Sequence, residues 1–482
     1  MRLHIVRLML TAFIVLTAAT SCYNYDQEES VAYSDITNYI NVTLTVRTSN
    51  SSMTRANTPK GGEDGDGREK GIDTRENAVT GVTLIFYQDA ANTTAGINTT
   101  TTNAEATTID HAVYYTVELA PNDYVPRYGT HYPDEVYYTT GKRELTLPLS
   151  SKNTYRMLVV ANANIESQIT PGTTTLAQVR DMVLTKVYDN SGISASNFVM
   201  SSEREAVIDF AYSTYDETTN SQTFQIENIH IERMAARIDY HAADAVYSTD
   251  YDHKGYVYDV GTEDHFVLTS ITPFNLNMDT GNGNEYVFKR TNSGTPYLAK
   301  ETMTSWVIDP YTASKTGTNL THPAWMVNTL TIVEANMGNN KENDYKISME
   351  TAQTGKLTVE GSDDIIIAYP KENTLNSDSR LYYHATGIAF EGYYYTNNAK
   401  TGGERRVFYH YLRHQGDAES YEALKSPLDK TIICGSTTPM NYGVVRNNIY
   451  RVNISSITPD DKLVLQIKVK KWDEFTHDII YM

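Results

Sequence analysis

Marked as apolar and polar positions, the chain is a succession of short alternating runs separated by Gly, Asn, Asp and Pro. In Ile40-Asn41-Val42-Thr43-Leu44-Thr45-Val46-Arg47, the residues Ile40, Val42, Leu44 and Val46 fall on one face and the polar residues on the other. That period of two is the mark of a half-buried strand. From Thr48 to about Glu76 the apolar periodicity stops, and Ser, Asn, Thr, Pro59 and the run Gly61-Gly62-Glu63-Asp64-Gly65-Asp66-Gly67-Arg68 predict a long exposed linker. Strand character resumes at Val79 with Gly81-Val82-Thr83-Leu84-Ile85-Phe86-Tyr87, and Leu158-Val159-Val160-Ala161-Asn162 reads as a central strand. Between Thr174 and Leu184 the period changes: Leu176, Val179 and Val183 fall on one helical face, which predicts a single minor helix crossing a β domain. A second alternating run, Phe224 to Arg233, leads into Met234-Ala235-Ala236-Arg237-Ile238-Asp239-Tyr240. The loop-like Asp250-Tyr251-Asp252-His253-Lys254-Gly255 beyond Ala243 marks a domain boundary. Near the end, Leu463, Leu465, Ile467 and Val469 alternate again, and Asp473 to Met482 follow as a short tail with Phe475, Ile479, Ile480 and Tyr481. Regularly spaced short strands predict an all-β protein of sandwiches or barrels.

Composition agrees with that class. The 482 residues include 37 Tyr, 11 Phe and 3 Trp, and Thr is abundant, as in sheets with one wet face. The formal charge of -19 carries no basic stripe, which argues against a nucleic-acid partner. The two cysteines, Cys22 and Cys434, exclude a disulfide scaffold, an Fe–S centre and a cysteine-rich zinc site. The neighbours of Cys434, in Thr431-Ile432-Ile433-Cys434-Gly435, suggest a buried structural thiol.

Catalytic motifs are absent. The sequence contains no Gly-x-Ser-x-Gly elbow, phosphate loop, Gly-x-Gly-x-x-Gly turn or His-Glu-x-x-His pair. His410 and His414 lie in an alternating run, where four residues of strand separate them by ~13 Å, too far to share an ion unaided. Asp64-x-Asp66 lacks the bidentate Glu that a calcium loop needs. The reading is therefore of a protein without catalytic residues, metal ligands or cofactor.

The first residues carry an address. Arg2 and Arg7 precede the apolar run Leu8–Leu16, followed by Ala18, Ala19, Thr20, Ser21 and Cys22. A basic end, a short apolar stretch and small residues make a secretory signal, and the run is too short for a bilayer span of ~20 residues. With Cys22 directly after the small residues, the segment resembles the lipobox of bacterial lipoproteins, with Ala19 where Leu is usual. The resemblance implies residues 1–21 as signal peptide and Cys22 as the lipid-bearing residue.

The order of lipoprotein signal, alternating strand, arginine-containing linker and β domains resembles the fimbrillin family, subunits of type V fimbriae in anaerobic Gram-negative bacteria. Val42-Thr43-Leu44-Thr45-Val46 running into Thr48-Ser49-Asn50-Ser51-Ser52-Met53-Thr54-Arg55-Ala56 is similar to the family's removable strand and arginine cleavage site. Val79–Tyr87, Leu158–Asn162 and Glu232-Arg233-Met234-Ala235-Ala236-Arg237-Ile238 are similar to strands of its first domain. Glu372-Asn373-Thr374, Arg446–Val452 and Val469-Lys470-Lys471-Trp472 are similar to landmarks of its second.

The resemblance implies two transthyretin-like β-sandwich domains, expected at 79–245 and 246–482, after a lipidated propeptide (22–55) and a linker (56–78). It also implies a precursor lipid-anchored in the outer membrane, cut between Arg55 and Ala56 by an arginine-specific extracellular protease. Other fimbrial subunits would then bind by strand exchange, the strand of Ile40, Val42, Leu44 and Val46 being removed. Arg68 and Arg75 are alternative cleavage points, and Arg47 sits at the strand end. Burying four aliphatic side chains in such a groove is worth several kcal/mol at ~25 cal/mol per Å2, before ladder hydrogen bonds are added. An accessory subunit near the fibre tip, adhering to host or bacterial surface receptors, is the expected position. The tail could instead donate a strand, as a main shaft fimbrillin must. A glycan-binding surface lipoprotein would share the signal and the tyrosines but gives no reason for the arginine-bearing linker.

Overall fold

In the computed structural model of the chain, the described residues lie between Asn38 and Tyr481. Outside them are 1–37, 49–67, 70–75, 77, 89–95, 98–105, 117–124, 129–135, 140–142, 148, 150–153, 191–193, 203–205, 210–213, 217–220, 224, 243, 262, 279–284, 289–325, 330–332, 334–344, 355–363, 375–384, 413–418, 424, 426–442, 459–461, 473–474 and 482.

Strands dominate, and the protein is all-β. In chain order the first sheet draws β1 (Asn38–Thr48), β2 (Gly81–Gln88), β3 (Ile109–Thr116), β4 (Val136–Thr139), β5 (Arg143–Leu147), β6 (Thr154–Ala161), β7 (Met200–Ser202), β8 (Ala206–Asp209) and β9 (Gln225–Arg233). The second half contributes β10 (Arg237–Tyr240), β11 (Val246–Ser248), β12 (Gly255–Asp259), β13 (His265–Phe274), β14 (Ile365–Ala368), β15 (Gly387–Tyr395), β16 (Glu404–Tyr411), β17 (Glu419–Glu422), β18 (Asn448–Ile457) and β19 (Leu463–Trp472). The last strand, β20 (Phe475–Tyr481), returns to the first sheet.

The sequence explains which strands are central. In β2 every residue from Gly81 to Tyr87 is buried. A strand packed on both faces needs such an uninterrupted apolar run, and β2 pairs antiparallel with both β3 and β6. The Leu158–Ala161 stretch of β6 is likewise fully buried, opposite Ile85 to Val82. Their side chains form one core with Ile109, Phe198, Met200 and Tyr369.

The predicted helix is shorter than its apolar spacing suggested. α1 (Leu176–Arg180) buries Leu176 and Val179, with Thr175 and Gln178 forming a reciprocal cap at 2.8 and 3.3 Å. Asp181 ends it, and Val183 falls in a two-residue strand opposite Tyr286 instead of on the helix face. A second helix, α2 (Met349–Thr354), has no apolar stripe long enough to reveal it in the sequence.

A second core lies between two six-stranded sheets. One contains β10, β14, β17, β18 and β19, with β10 parallel to β18 and antiparallel to β14. The other contains β11, β12, β13, β15 and β16 in that order. Ile238, Tyr240, Ile365, Val452 and Leu465 from the first pack with Phe266, Leu268, Ile388, Phe390 and Phe408 from the second, the layout of a sandwich.

From β9 onward, the described residues cross between the first and second sheets twice. β9 runs into β10 through Met234, Ala235 and Ala236, all fully buried, with Ala236 N–H donating to Pro370 and Asn447 N–H to Ala235. The other crossing takes two residues, from β19 to β20. Arg237–Tyr240, inside the stretch 79–245, therefore pairs with strands from the stretch 246–482, and β20 pairs with strands of the first half.

Asn162 fastens the entry to β2. Its backbone is left-handed at φ 61, its side-chain oxygen accepts from Thr80 N–H at 2.8 Å, and its Nδ2 donates to Ala78 and Phe198 at 2.7 and 2.8 Å. Losing these bonds is expected to cost about 2–3 kcal/mol. Asn162→Gly should be about 1 kcal/mol less damaging than Asn162→Ala, since glycine accepts positive φ without strain. Urea melts of the two variants measure the difference.

Candidate functional site

β1 stands inside the first sheet, with neighbours on both edges. Along one edge it pairs antiparallel with β20, placing Ile40 opposite Tyr481, Val42 opposite Ile479, Leu44 opposite His477 and Val46 opposite Phe475. Along the other, Asn38–Val42 pairs with Leu147–Arg143 of β5 and Thr45–Thr48 with Thr139–Val136 of β4. β20 is itself interior, with β9 on its far edge. The local order is thus β9, β20, β1, then β5 and β4.

That position decides what removal of β1 would do. Eleven residues of strand span about 37 Å at 3.4 Å per residue. Withdrawing them would strip the inner edges of β20 and of β4 and β5, leaving two facing rows of backbone N–H and C=O groups. A single extended segment from elsewhere could satisfy both rows by adding one strand. The four residues singled out from the sequence, Ile40, Val42, Leu44 and Val46, all lie on this strand, whereas Cys22, Arg55 and Ala56 lie outside the described residues.

Two of the remaining arginines near the linker fall in paired strands. Arg47 is in β1 opposite Tyr137. Arg68 belongs to the two-residue strand Arg68–Glu69, parallel to Lys471–Trp472 of β19. Arg75 lies outside the described residues, but the next residue, Glu76, is fully buried.

Glu76 enters a cluster of charged side chains where β9 runs into β10. Arg237 Nη1 donates to its carboxylate at 3.0 and 3.2 Å, and Tyr369 donates its hydroxyl to the same group. Arg233 Nε donates to the Glu76 carbonyl at 3.1 Å. Arg237 also grips Asp239 through three bonds of 2.8–3.0 Å, and all three charged side chains of this pairing have no exposure. Further out, Asp364 pairs with Arg451 at 2.5 Å and with His241 at 2.6 Å. Burial works against the charge on Arg237, but the carboxylates of Asp239 and Glu76 outweigh it and raise its pKa. Asp239 is pushed up to about 6, chiefly by burial, with Arg237 opposing and Asp364 and Glu76 adding to the rise.

Sequence reasoning listed Arg233 and Arg237 as landmarks without a role and missed Glu76, Asp239 and Tyr369. A signal was present: in Arg237-Ile238-Asp239-Tyr240 charged residues alternate with residues of a core strand, and all four are buried.

The tyrosine run on β15 is occupied internally. Tyr395 donates to Asp252 and lies 4.8 Å from the Tyr251 ring, Tyr394 donates to Asp264 at 2.9 Å, and Tyr393 stacks on His253 at 3.4 Å. These rings bind loops to the sheet. His410 is buried on β16, and His414 lies outside the described residues. Among the described residues no group of three or more His, Cys, Asp or Glu is placed to hold a metal ion.

No family model and no curated protein matches the chain. Solved structures similar to it include the tip fimbrial protein Mfa3 from Porphyromonas gingivalis with C-terminal truncation, at 11% identity and a TM-score of 0.38 over 90% of this chain and 100% of that one. A fimbrial assembly protein from Parabacteroides distasonis is also similar, at 9% identity and a TM-score of 0.30 over 90% of this chain and 99% of that one.

The cluster has a titration signature. Because Asp239 binds its proton more tightly in the folded chain, its contribution to stability is full below pH ~4 and is lost as pH rises through about 6. The stability difference between the parent and Asp239→Asn should therefore shrink or turn against the parent from pH 4 to 7, by on the order of 2 kcal/mol. Denaturant melts across that range measure it, and a pH-independent difference would contradict the assignment.

Proposed function

We propose that this chain is a fimbrial subunit, exported as a lipoprotein precursor and assembled by strand exchange after its first strand is removed. The observation that carries the proposal is the pairing of β1. This strand lies N-terminal to an arginine-bearing linker, yet sits between β20 and the β4/β5 pair with both edges hydrogen-bonded. In the precursor β1 fills the place that an incoming strand would take, so the monomer cannot polymerise prematurely. The fimbrial proteins among the similar solved structures are in keeping with this reading, which rests on the strand pairing and the sequence motifs.

The leader is residues 22–55, held to the outer membrane by lipid on Cys22. Residues 56–78 form the linker, and the stretches 79–245 and 246–482 the two bodies. An arginine-specific protease cuts between Arg55 and Ala56, in the stretch of chain between β1 and the paired Arg68. The leader leaves with β1, and a donor strand from a neighbouring subunit replaces it in an extracellular fimbrium.

For place in the fibre, the proposed role is accessory, near the tip, in adhesion to surface receptors. A shaft subunit must free a C-terminal segment for its neighbour, whereas β20 here is an interior strand between β9 and β1. The shaft role requires β20 to leave with almost no slack, because only Asp473 and Glu474 separate it from β19.

Blocking the cut tests the scheme. Arg55→Ala should leave a lipid-bound, unpolymerised precursor in membrane extracts, while the parent's surface form should begin at Ala56 by N-terminal sequencing. Surface protein that begins elsewhere, or fibres of normal abundance from Arg55→Ala seen by electron microscopy, would overturn the assignment.

A further inference from the structure

Three arginines, Arg55, Arg68 and Arg75, lie between β1 and the first strand of the body, so an arginine-specific protease meets three candidate bonds. The residue that follows the last of them is tied into the core. Glu76, on the far side of the Arg75–Glu76 bond, is fully buried, its carboxylate held by Arg237 and Tyr369 and its carbonyl by Arg233. These three partners come from β10, from the segment after β14 and from β9, so a single residue is tied to three separate parts of the fold.

The fastening continues downstream. Val79 is buried, and the Ala78 carbonyl and Thr80 N–H are both bound by the Asn162 side chain. Glu76, Ala78 and Thr80 are thus each bonded to the body before β2 begins.

We propose that Glu76 closes the Arg75–Glu76 bond to endoproteolysis, and thereby sets the last point at which the leader can be detached. The proposal deepens the leader-release reading above and rests on it. An endoprotease takes its substrate as an extended segment on both sides of the cut, which is why nicking concentrates in loops that can leave the surface. Cutting after Arg75 would require Glu76 to leave the core, taking one counter-ion from Arg237 and the carbonyl from Arg233. Removing one partner from a buried ion pair is costly enough to lower the cleavable population by ~100-fold or more. The cut would also create a new ammonium on residue 76 beside the Arg233 guanidinium, a like-charge contact that disfavours the product. The two-residue strand of Arg68 lies at the edge of its sheet, paired on one side only. The body can therefore lose β1 and still keep its own first residues fixed.

The test uses the purified full chain and an arginine-specific endoprotease, with N-terminal sequencing and intact mass followed over time. The parent should yield products that begin at Ala56 or Glu69, and none that begins at Glu76 until those cuts are complete. Glu76→Ala should raise the rate of cutting after Arg75 by ~100-fold, and Glu76→Gln by less. If Glu76→Ala is unfolded at the assay temperature by circular dichroism, Tyr369→Phe serves instead. It removes one hydrogen bond, keeps the ion pair and should raise the rate several-fold. Parent protein cut after Arg75 as fast as at the upstream arginines would overturn the proposal, as would folded variants that show no increase. The leader-release reading fails by a different outcome: product cut upstream of Glu76 that keeps residues 38–48 bound and never polymerises leaves the Arg75 measurement standing.

Discussion

Backbone pairing on both edges of β1 is the constraint around which the first sheet is arranged. A strand at the margin of a sheet can leave at the loss of one row of hydrogen bonds, whereas an interior strand divides the sheet when it goes. Buried backbone donors and acceptors left without partners cost about 1–3 kcal/mol each. The vacated site is therefore a high-energy state with a shape specific for another strand. In the proposed scheme this one constraint both keeps the precursor closed and drives capture of a replacement.

The location of β20 follows from the same pairing. The chain ends its second half in β19, within the core of the second unit, and after two residues enters the first sheet beside β1. Its partner on the other side, β9, is the strand that carries the chain out of the first sheet toward β10. The β9, β20 and β1 group thus links the β9–β10 and β19–β20 crossings to the place that β1 fills. The buried set of Glu76, Arg233, Arg237 and Tyr369 sits at the first of those crossings and holds the start of the body against it. Burying charges together contributes little net stability compared with apolar packing, but breaking such a set is strongly unfavourable. In the proposed scheme it suits a place that must stay fixed while β1 leaves.

Much of the fold was legible because local pattern and burial coincide. The alternation from Ile40 to Val46, the apolar run of β2 and the Leu158–Ala161 stretch each declare a strand within eight residues or fewer. The helix was legible in place but not in extent, since Val183 shares the helical period of Leu176 and Val179 yet is taken by strand pairing with Tyr286. What the sequence hid was long-range. Glu76 stands in a polar stretch without apolar periodicity, and its burial depends on arginines more than 150 positions away. The partner of β1 was hidden for the same reason: the tail Phe475–Tyr481 reads as a short strand, and nothing local states which sheet it joins. The partners of the tyrosines on β15, Asp252 and Asp264, were hidden likewise, because they stand more than 100 positions away in the chain.

The central claim is that β1 occupies a groove it must leave before subunits can join. Val42 of β1 and Ile479 of β20 lie directly opposite, and facing antiparallel residues have Cα separations of about 4.5–5.5 Å, within the range a disulfide spans. Val42→Cys combined with Ile479→Cys should therefore lock the strand in place when oxidised. The measurement is polymer formation by electron microscopy after arginine-specific cleavage, with and without reductant. The account predicts cleaved but monomeric protein while the lock is closed, and fibres once it is reduced. Fibres of equal abundance from the oxidised, cleaved double variant would contradict it.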